Sequence, residues 1–232
     1  MDKRLLTIEK MIRNGAGVID VGTDHGSIPI RLAQRGYPGT IFASDINAGP
    51  LDAAKRNAAR AGVSDKIRFL LCDGLALCPP DAVDTIVIAG MGGDMIVKIL
   101  DEAEWCMHPR YHLILQPMTR AEVLRYWLVY NEFQILSESV AQEGNTLYQV
   151  LTARFGGQTR LNDAELFCGK RALAEDDALW LQSLDAQSGR LKKALRGIQL
   201  GTVEEERGNL YREILAQMEE LRGTYDKDSG SI

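Results

Sequence analysis

The turn Asp20-Val21-Gly22-Thr23-Asp24-His25-Gly26 follows the first β-branched apolar run of the chain and precedes a helical pattern starting at Ile28. Glycines in a strand-to-helix turn let a nucleotide-like ligand approach the backbone closely, though they also simply permit a tight turn. A pyrophosphate-binding fingerprint would have a second glycine where Asp24 stands; a carboxylate there repels a pyrophosphate and suits a cationic ligand. S-adenosylmethionine, with its sulfonium and ammonium groups, is such a ligand. Two further acids fit it. Asp45, followed by Ile46, closes the second apolar run 23 residues after Gly22, where a carboxylate can accept from both ribose hydroxyls. Asp73, in Cys72-Asp73-Gly74, follows the third run and can accept from an adenine amino group. Each acid alone reads equally as a loop cap. Three acids just past successive strand ends point to a ligand crevice, because open α/β sheets bind their ligands there.

The fourth run ends in Ala89-Gly90-Met91-Gly92-Gly93-Asp94, so backbone rather than side chain lines that spot. The expected cofactor-binding set is Asp20, Gly22, Asp24, His25, Asp45, Ile46, Asp73, Gly74, Gly90 and Met91. The fifth run ends in Gln116-Pro117-Met118, where Gln116 can bond a base edge or cap its strand.

These residues require strands that deliver them side by side. Short apolar runs at Val18–Val21, Thr40–Ser44, Ile67–Leu71, Thr85–Ala89 and Tyr111–Gln116 alternate with helical patterns at Ile28–Gln34, Leu51–Ala61, Asp94–Ala103 and Ala121–Tyr130. An amphipathic helix carrying Leu5, Leu6, Ile8, Met11 and Ile12 opens the chain. Only Ala141 to Asn145 separates the runs Phe133–Val140 and Thr146–Phe155, which is too short for a helical crossover and predicts an antiparallel hairpin. Five parallel strands closed by such a hairpin make the seven-strand, Rossmann-like α/β sheet of the class I methyltransferases. After Gly156-Gly157 the patterns are helical, with seams Leu184, Ser188, Leu191, Leu195, Ile198 and Leu210, Ile214, Gln217, Leu221 on either side of Gly201-Thr202. The expected organisation is a cofactor domain at 1–160 and a helical hairpin or coiled coil at 161–232, frayed from Asp226 on.

Composition narrows the class. The 232 residues are 45% hydrophobic and 25% charged, as in an ordinary globular protein, and no apolar run approaches the roughly 18 residues that cross a bilayer. Charges fill the opening segment where a signal peptide needs its apolar stretch, so a cytoplasmic location is expected. Four scattered cysteines and three histidines argue against a metal site. A net charge of −5 argues against a general nucleic-acid binder, and the acidic excess is concentrated after residue 160, with 10 Lys/Arg against 14 Asp/Glu. Local basic patches remain: Lys3, Arg4 and Arg13 at the start, and Arg190, Lys192, Lys193 and Arg196 opposite the apolar seam of the appendage.

Taken together, Asp20-Val21-Gly22-Thr23-Asp24-His25 with Pro29, Gly49-Pro50, Asp73-Gly74-Leu75, Ile88-Ala89-Gly90-Met91-Gly92-Gly93 and Leu113-Ile114-Leu115-Gln116-Pro117 resemble the bacterial tRNA adenine-N1 methyltransferases that modify adenine 22. The resemblance covers residues 3–155, and its specific elements are the Ala-Gly-Met-Gly-Gly run and the Asp-His after the first glycine. It implies S-adenosylmethionine as donor, tRNA as acceptor, a Rossmann-like cofactor domain and a C-terminal helical coiled coil. Two positions depart: Met118 stands where the family usually has Asn, and Ser27 where an aromatic is common.

On this reading the chain methylates N1 of an adenine, as a monomer. Asp24 is the expected carboxylate beside the reacting centre, Asp94 its substitute, and Gln116 the reader of the base edge. Tyr37, Trp105 and Tyr111 are the aromatics available for stacking the flipped base. A methyltransferase of the same fold acting on a small molecule or protein, and a non-enzymatic binding module, are the competing readings.

Overall fold

The computed structural model describes residues 2–198 and 202–229. The expected turn at Gly201 therefore lies outside the described residues, as do the last three positions. Seven strands form one sheet: β1 (Gly17–Val21), β2 (Thr40–Asp45), β3 (Ile67–Leu71), β4 (Thr85–Gly92), β5 (His112–Thr119), β6 (Phe133–Glu143) and β7 (Thr146–Phe155). Their order is β3-β2-β1-β4-β5-β7-β6, with β1 to β5 parallel and β7 antiparallel to both its neighbours. Eight α-helices accompany them among the described residues: α1 (Lys3–Met11), α2 (Ser27–Gln34), α3 (Ala48–Arg60), α4 (Gly93–Asp101), α5 (Ala121–Tyr130), α6 (Asp163–Cys168), α7 (Asp177–Arg196) and α8 (Thr202–Ser229).

Strand alternation sorts the core into two layers. Ile86, Ile88, Leu113 and Leu115 face α4 and α5 through Ile96, Leu100, Leu124 and Leu128. Their chain neighbours Val87 and Ile114 face the other way, packing with Ile8 and Ile12 of the N-terminal segment and with Leu32 and Ala58. β4, β5 and β6 each run three residues further than their apolar runs predict. In β4 and β5 a register irregularity at Ala89–Met91 carries the pairing onward, with Gly90 at φ 78°. Pro117 is tolerated because β5 pairs with β7 only through Leu113–Leu115, so beyond them it has one neighbour.

The helices after Phe155 form a third core around Trp180, Leu184, Leu191, Ile214, Leu215 and Met218. Here two expectations are corrected. The α8 seam contains Ile214, Leu215 and Met218, while Leu210 is 46% exposed. A helix turns 3.6 residues per turn rather than the 3.5 of a strict heptad, and Gly208, beside Leu195, takes the buried place instead. Helix α8 also continues through Asp226 to Ser229 rather than fraying, with Tyr225 against Trp180 and an ion pair of 2.6 Å from Arg171 to Asp228.

The two parts share a polar seam. Arg125 of α5 is fully buried; its Nε and Nη2 donate to Glu138 Oε2 at 3.1 and 2.5 Å, and its Nη1 donates to the Leu166 carbonyl at 2.8 Å. Gln149 of β7 donates to the Phe167 carbonyl at 3.1 Å and to Ser183 Oγ of α7 at 2.8 Å.

Candidate active site at the carboxyl ends of the parallel strands

Strand order reverses between β1 and β4, and the crevice at their carboxyl ends is where an open α/β sheet holds a ligand. A cavity of about 510 Å3 opens there, lined by Asp20, Gly22, Thr23, Asp24, His25 and Ser27 from the first turn and by Ala89 and Gly90 from the end of β4. Its remaining wall comes from Asp2, Arg4, Leu5, Ile28, Met118, Glu143 and Tyr148. The turn owes its shape to left-handed backbone at Gly22 (φ 69°) and Asp24 (φ 50°). A side chain at Gly22 would collide with Met91 Cε, 2.2 Å from where its Cβ would lie, so glycine lets the ends of β1 and β4 meet.

The acids are tied into this backbone. Asp45 Oδ2 accepts from the Asp24 backbone N–H at 3.3 Å, and its Oδ1 accepts from the Asn47 N–H at 2.9 Å. Asp20 is buried and accepts from the Thr23 hydroxyl at 2.6 Å. Burial pushes the Asp20 carboxyl up to about 7, with the Asp45 charge acting the same way and the Thr23 hydrogen bond and Arg4 opposing. A buried carboxyl beside other acids is poorly satisfied alone and gains from a nearby cation, which is the charge pattern of the donor proposed from sequence. Asp24 and His25 are exposed to equal degrees, with His25 Nε2 3.6 Å from Asp24 Oδ2. Ile46, 59% exposed, and the exposed Asp73 stand at the ends of β2 and β3, outside the cavity lining, where apolar surface beside two acids suits a purine and its ribose. Gly74, at φ 50°, lies against Ile99.

Two expected catalytic residues are engaged elsewhere. Gln116 is fully buried: its Oε1 accepts from Gly90 N–H at 3.1 Å and from Arg4 Nη1 at 2.9 Å, and its Nε2 donates to the Pro117 carbonyl at 3.0 Å. It ties β5 to the bulge in β4 and to α1. Asp94 opens α4 outside the cavity lining, 3.1 Å from Arg120 Nη1. The expected stacking aromatics do not reach the cavity either. Tyr37 and Tyr111 are buried in the core, and Trp105 packs edge-on against Tyr111 at 5.0 Å. Arg4, expected in a phosphate-binding patch, instead turns into the site. Sequence reasoning missed Tyr148, whose only signal is an aromatic close to the hairpin turn, and the cavity-facing position of Arg4, for which α1 carries no signal at all.

Among the described residues no cluster of three or more His, Cys, Asp or Glu side chains is placed to hold a metal ion, and no helix is long and apolar enough to cross a membrane.

The family model described as a methyltransferase domain matches residues 1–151. The chain belongs to the methyltransferase family. Over 231 residues, covering 97% of each chain, it is 28% identical to the Bacillus subtilis tRNA (adenine(22)-N(1))-methyltransferase. The crystal structure of a B. subtilis tRNA methyltransferase of that activity superposes with a TM-score of 0.83 at 26% identity, covering 95% of this chain and 97% of that one. A Streptococcus pneumoniae protein assigned the same activity, solved in complex with S-adenosyl-L-methionine, is 32% identical with a TM-score of 0.76, covering 93% of this chain and 99% of that one. Within the methyltransferases the chain thus groups with the tRNA adenine-22 N1 enzymes along nearly its whole length, the appendage included.

Proposed function

We propose that this protein transfers a methyl group from S-adenosylmethionine to N1 of an adenine in tRNA, at the position its relatives are named for, adenine 22. The observation that carries the reading is the acidic glycine turn at the β1–β4 switch point, opening into a cavity walled by α1 and the closing hairpin. The cofactor residues are Asp20, Gly22, Asp24, His25, Gly90 and Met91 around the sulfonium and amino-acid end. Asp45, Ile46, Asp73 and Gly74 serve the adenosine end.

S-adenosylmethionine supplies an activated methyl group on a positively charged sulfur. Adenine N1 already holds an in-plane lone pair at neutral pH, so the protein needs no strong base before attack. Its work is positioning: the acceptor nitrogen must lie in line with the methyl carbon at roughly 3–3.5 Å, and a 1 Å error is costly. Asp24, exposed at the cavity wall, accepts from the adenine amino group or stabilises the charge developing on the ring. Gln116 acts as a positioning residue, fixing Gly90 and Arg4 through its carbonyl oxygen. We assign Asp94 the lesser role of holding Arg120 at the start of α5. N1 lies on the pairing edge, so the base must swing out of the folded RNA to enter.

Residues 1–160 form the cofactor portion in this reading. Residues 161–232 hold the RNA, through the exposed Arg190, Lys192, Lys193 and Arg196 of α7. The protein works as a cytoplasmic monomer. Incubating it with tRNA and labelled S-adenosylmethionine, then digesting to nucleosides, tests the assignment: labelled N1-methyladenine supports it. Label in another nucleoside, or none while calorimetry shows the donor bound, refutes it.

A further inference from the structure

The geometry points to Tyr148 as the platform on which the acceptor base stacks, with Arg4 holding the ring in place. The inference rests on the proposed acceptor, an adenine in tRNA, and names the surface that receives it. Tyr148 is half-buried in β7, opposite Ala141 of β6, so no large cross-strand side chain crowds its ring. Among the side chains lining the cavity it carries the one benzenoid ring, while Ser27 offers only a hydroxyl.

The Arg4 guanidinium lies over the Tyr148 ring, 5.6 Å from its centroid. Arg4 is itself held from three directions. Its backbone N–H donates to Glu143 Oε1 at 3.0 Å, its Nη1 donates to Gln116 at 2.9 Å, and its Nη2 lies 3.6 Å from Asp2 Oδ2. With its charge matched by Asp2 and its Nη1 taken up by Gln116, the guanidinium orders the ring rather than gripping phosphate. Tyr148 and Met118 also line an adjoining groove of about 90 Å3 that contains Arg120, Gln187 and Arg190. They stand where groove and cavity meet. A strand whose phosphates run past Arg190 would deliver a flipped base to this ring and, beyond it, to the turn at Gly22–Asp24.

The chemistry favours an aromatic face at that point. Adenine becomes cationic as N1 is methylated, and a π-face attracts the developing charge more strongly than it attracts the neutral base. Contacts that strengthen toward the transition state raise kcat rather than merely lowering KM.

The test compares Tyr148→Phe with Tyr148→Leu in the full-length protein. Stacking on an aromatic is lost in the Leu variant, so kcat/KM for tRNA should fall roughly 5- to 100-fold with kcat itself reduced, while Phe stays within about threefold of wild type. Calorimetry should give the same S-adenosylmethionine affinity for all three. A tRNA carrying 2-aminopurine at the target position should be quenched on binding the wild-type and Phe proteins and remain bright on the Leu protein. A Leu variant that methylates at the wild-type rate, or that loses cofactor binding in parallel with methylation, overturns the platform. Wild-type protein that forms no N1-methyladenine overturns the acceptor assignment and the platform with it; normal wild-type product beside an unaffected Leu variant overturns the platform alone.

Discussion

Asp45→Ala separates cofactor binding from folding. The carboxylate is 7% exposed at the end of β2 and accepts the backbone N–H groups of Asp24 and Asn47 at 3.3 and 2.9 Å. Each bond ends on a charged group and is worth about 1.5–3 kcal/mol at most, but both donors sit in surface turns where water can replace the lost partner, so the folding cost stays below that and below a total of about 5–15 kcal/mol. The ligand loses more. Hydrogen bonds to a charged group contribute about 1.5–3 kcal/mol, which corresponds to a rise in Kd of roughly 10- to 150-fold. Asp24, held at φ 50° partly by this carboxylate, becomes free to leave its left-handed conformation, which adds to the loss. Asp45→Asn keeps the shape and one acceptor oxygen without the charge, and is expected to fall between wild type and Ala. Calorimetry with S-adenosylmethionine measures the affinity, and a thermal melt checks that the fold persists. An Ala variant with wild-type affinity and an unchanged melt refutes the assignment of Asp45 to the ribose. One that melts far below wild type refutes the claim that its role is local.

The raised Asp20 pKa makes binding pH-dependent: a cationic ligand prefers the ionised carboxylate, so S-adenosylmethionine affinity should increase as pH rises through about 7, with proton release below it. The same group makes the ligand-free protein less stable as pH rises from about 4 to about 7, because there the folded state holds a proton that the unfolded chain has released; calorimetry in buffers of different ionisation enthalpy and pH-dependent melts measure both, and pH-independent affinity counts against the cation site. Changing Lys192, Lys193 and Arg196 together to Gln should flatten the salt dependence of tRNA methylation by about two to three in log–log slope; an unchanged slope returns α7 to a plain solvated face. Arg125→Met leaves Glu138 buried without its partner and should cost about 3–5 kcal/mol, lowering Tm by roughly 2–4 °C for each, whereas Arg125→Met with Glu138→Leu should recover much of the loss; a double variant no better than the single refutes this. A chain ending at Arg160 removes the carbonyls of Leu166 and Phe167 and the Ser183 hydroxyl from Arg125 and Gln149, so it should aggregate or melt well below full length; a soluble fragment melting with the intact protein overturns that expectation.

The sheet was legible because its rule is local. Each parallel strand is a short, largely apolar run, with both faces covered except at the edge strand β3, and each helix keeps its own period, so β1, β3, α2 and α5 emerge within a residue of their sequence readings. The cofactor crevice follows from the same rule, because residues just past successive strand ends must converge once the strands are parallel. Asp20, Gly22, Asp24 and Asp45 therefore lie together with no long-range information needed. The five-residue gap from Ala141 to Asn145 settled the hairpin by length alone.

The other wall of the site obeys no such rule. Periodicity in α1 identifies the buried Ile8 and Ile12 but says nothing about where the polar Arg4 is aimed. Its target, Gln116, is 112 residues away and belongs to the fifth strand of the sheet. The seam at Arg125 is equally silent: an arginine within Leu124-Arg125-Tyr126 reads as a solvated position, and only the arrival of α6 and α7 makes it a fully buried one. Burying that charge has a physical consequence for function. A guanidinium with four acceptors fixed around it tolerates little sliding, so α6 is registered against β6 and β7, and the hydrogen bond from Gln149 to Ser183 extends the seam to α7, whose Arg190 lies in the groove that ends at Tyr148. The distance from α7, the helix proposed to hold the RNA, to the cavity is therefore set by a buried polar seam that lies in neither.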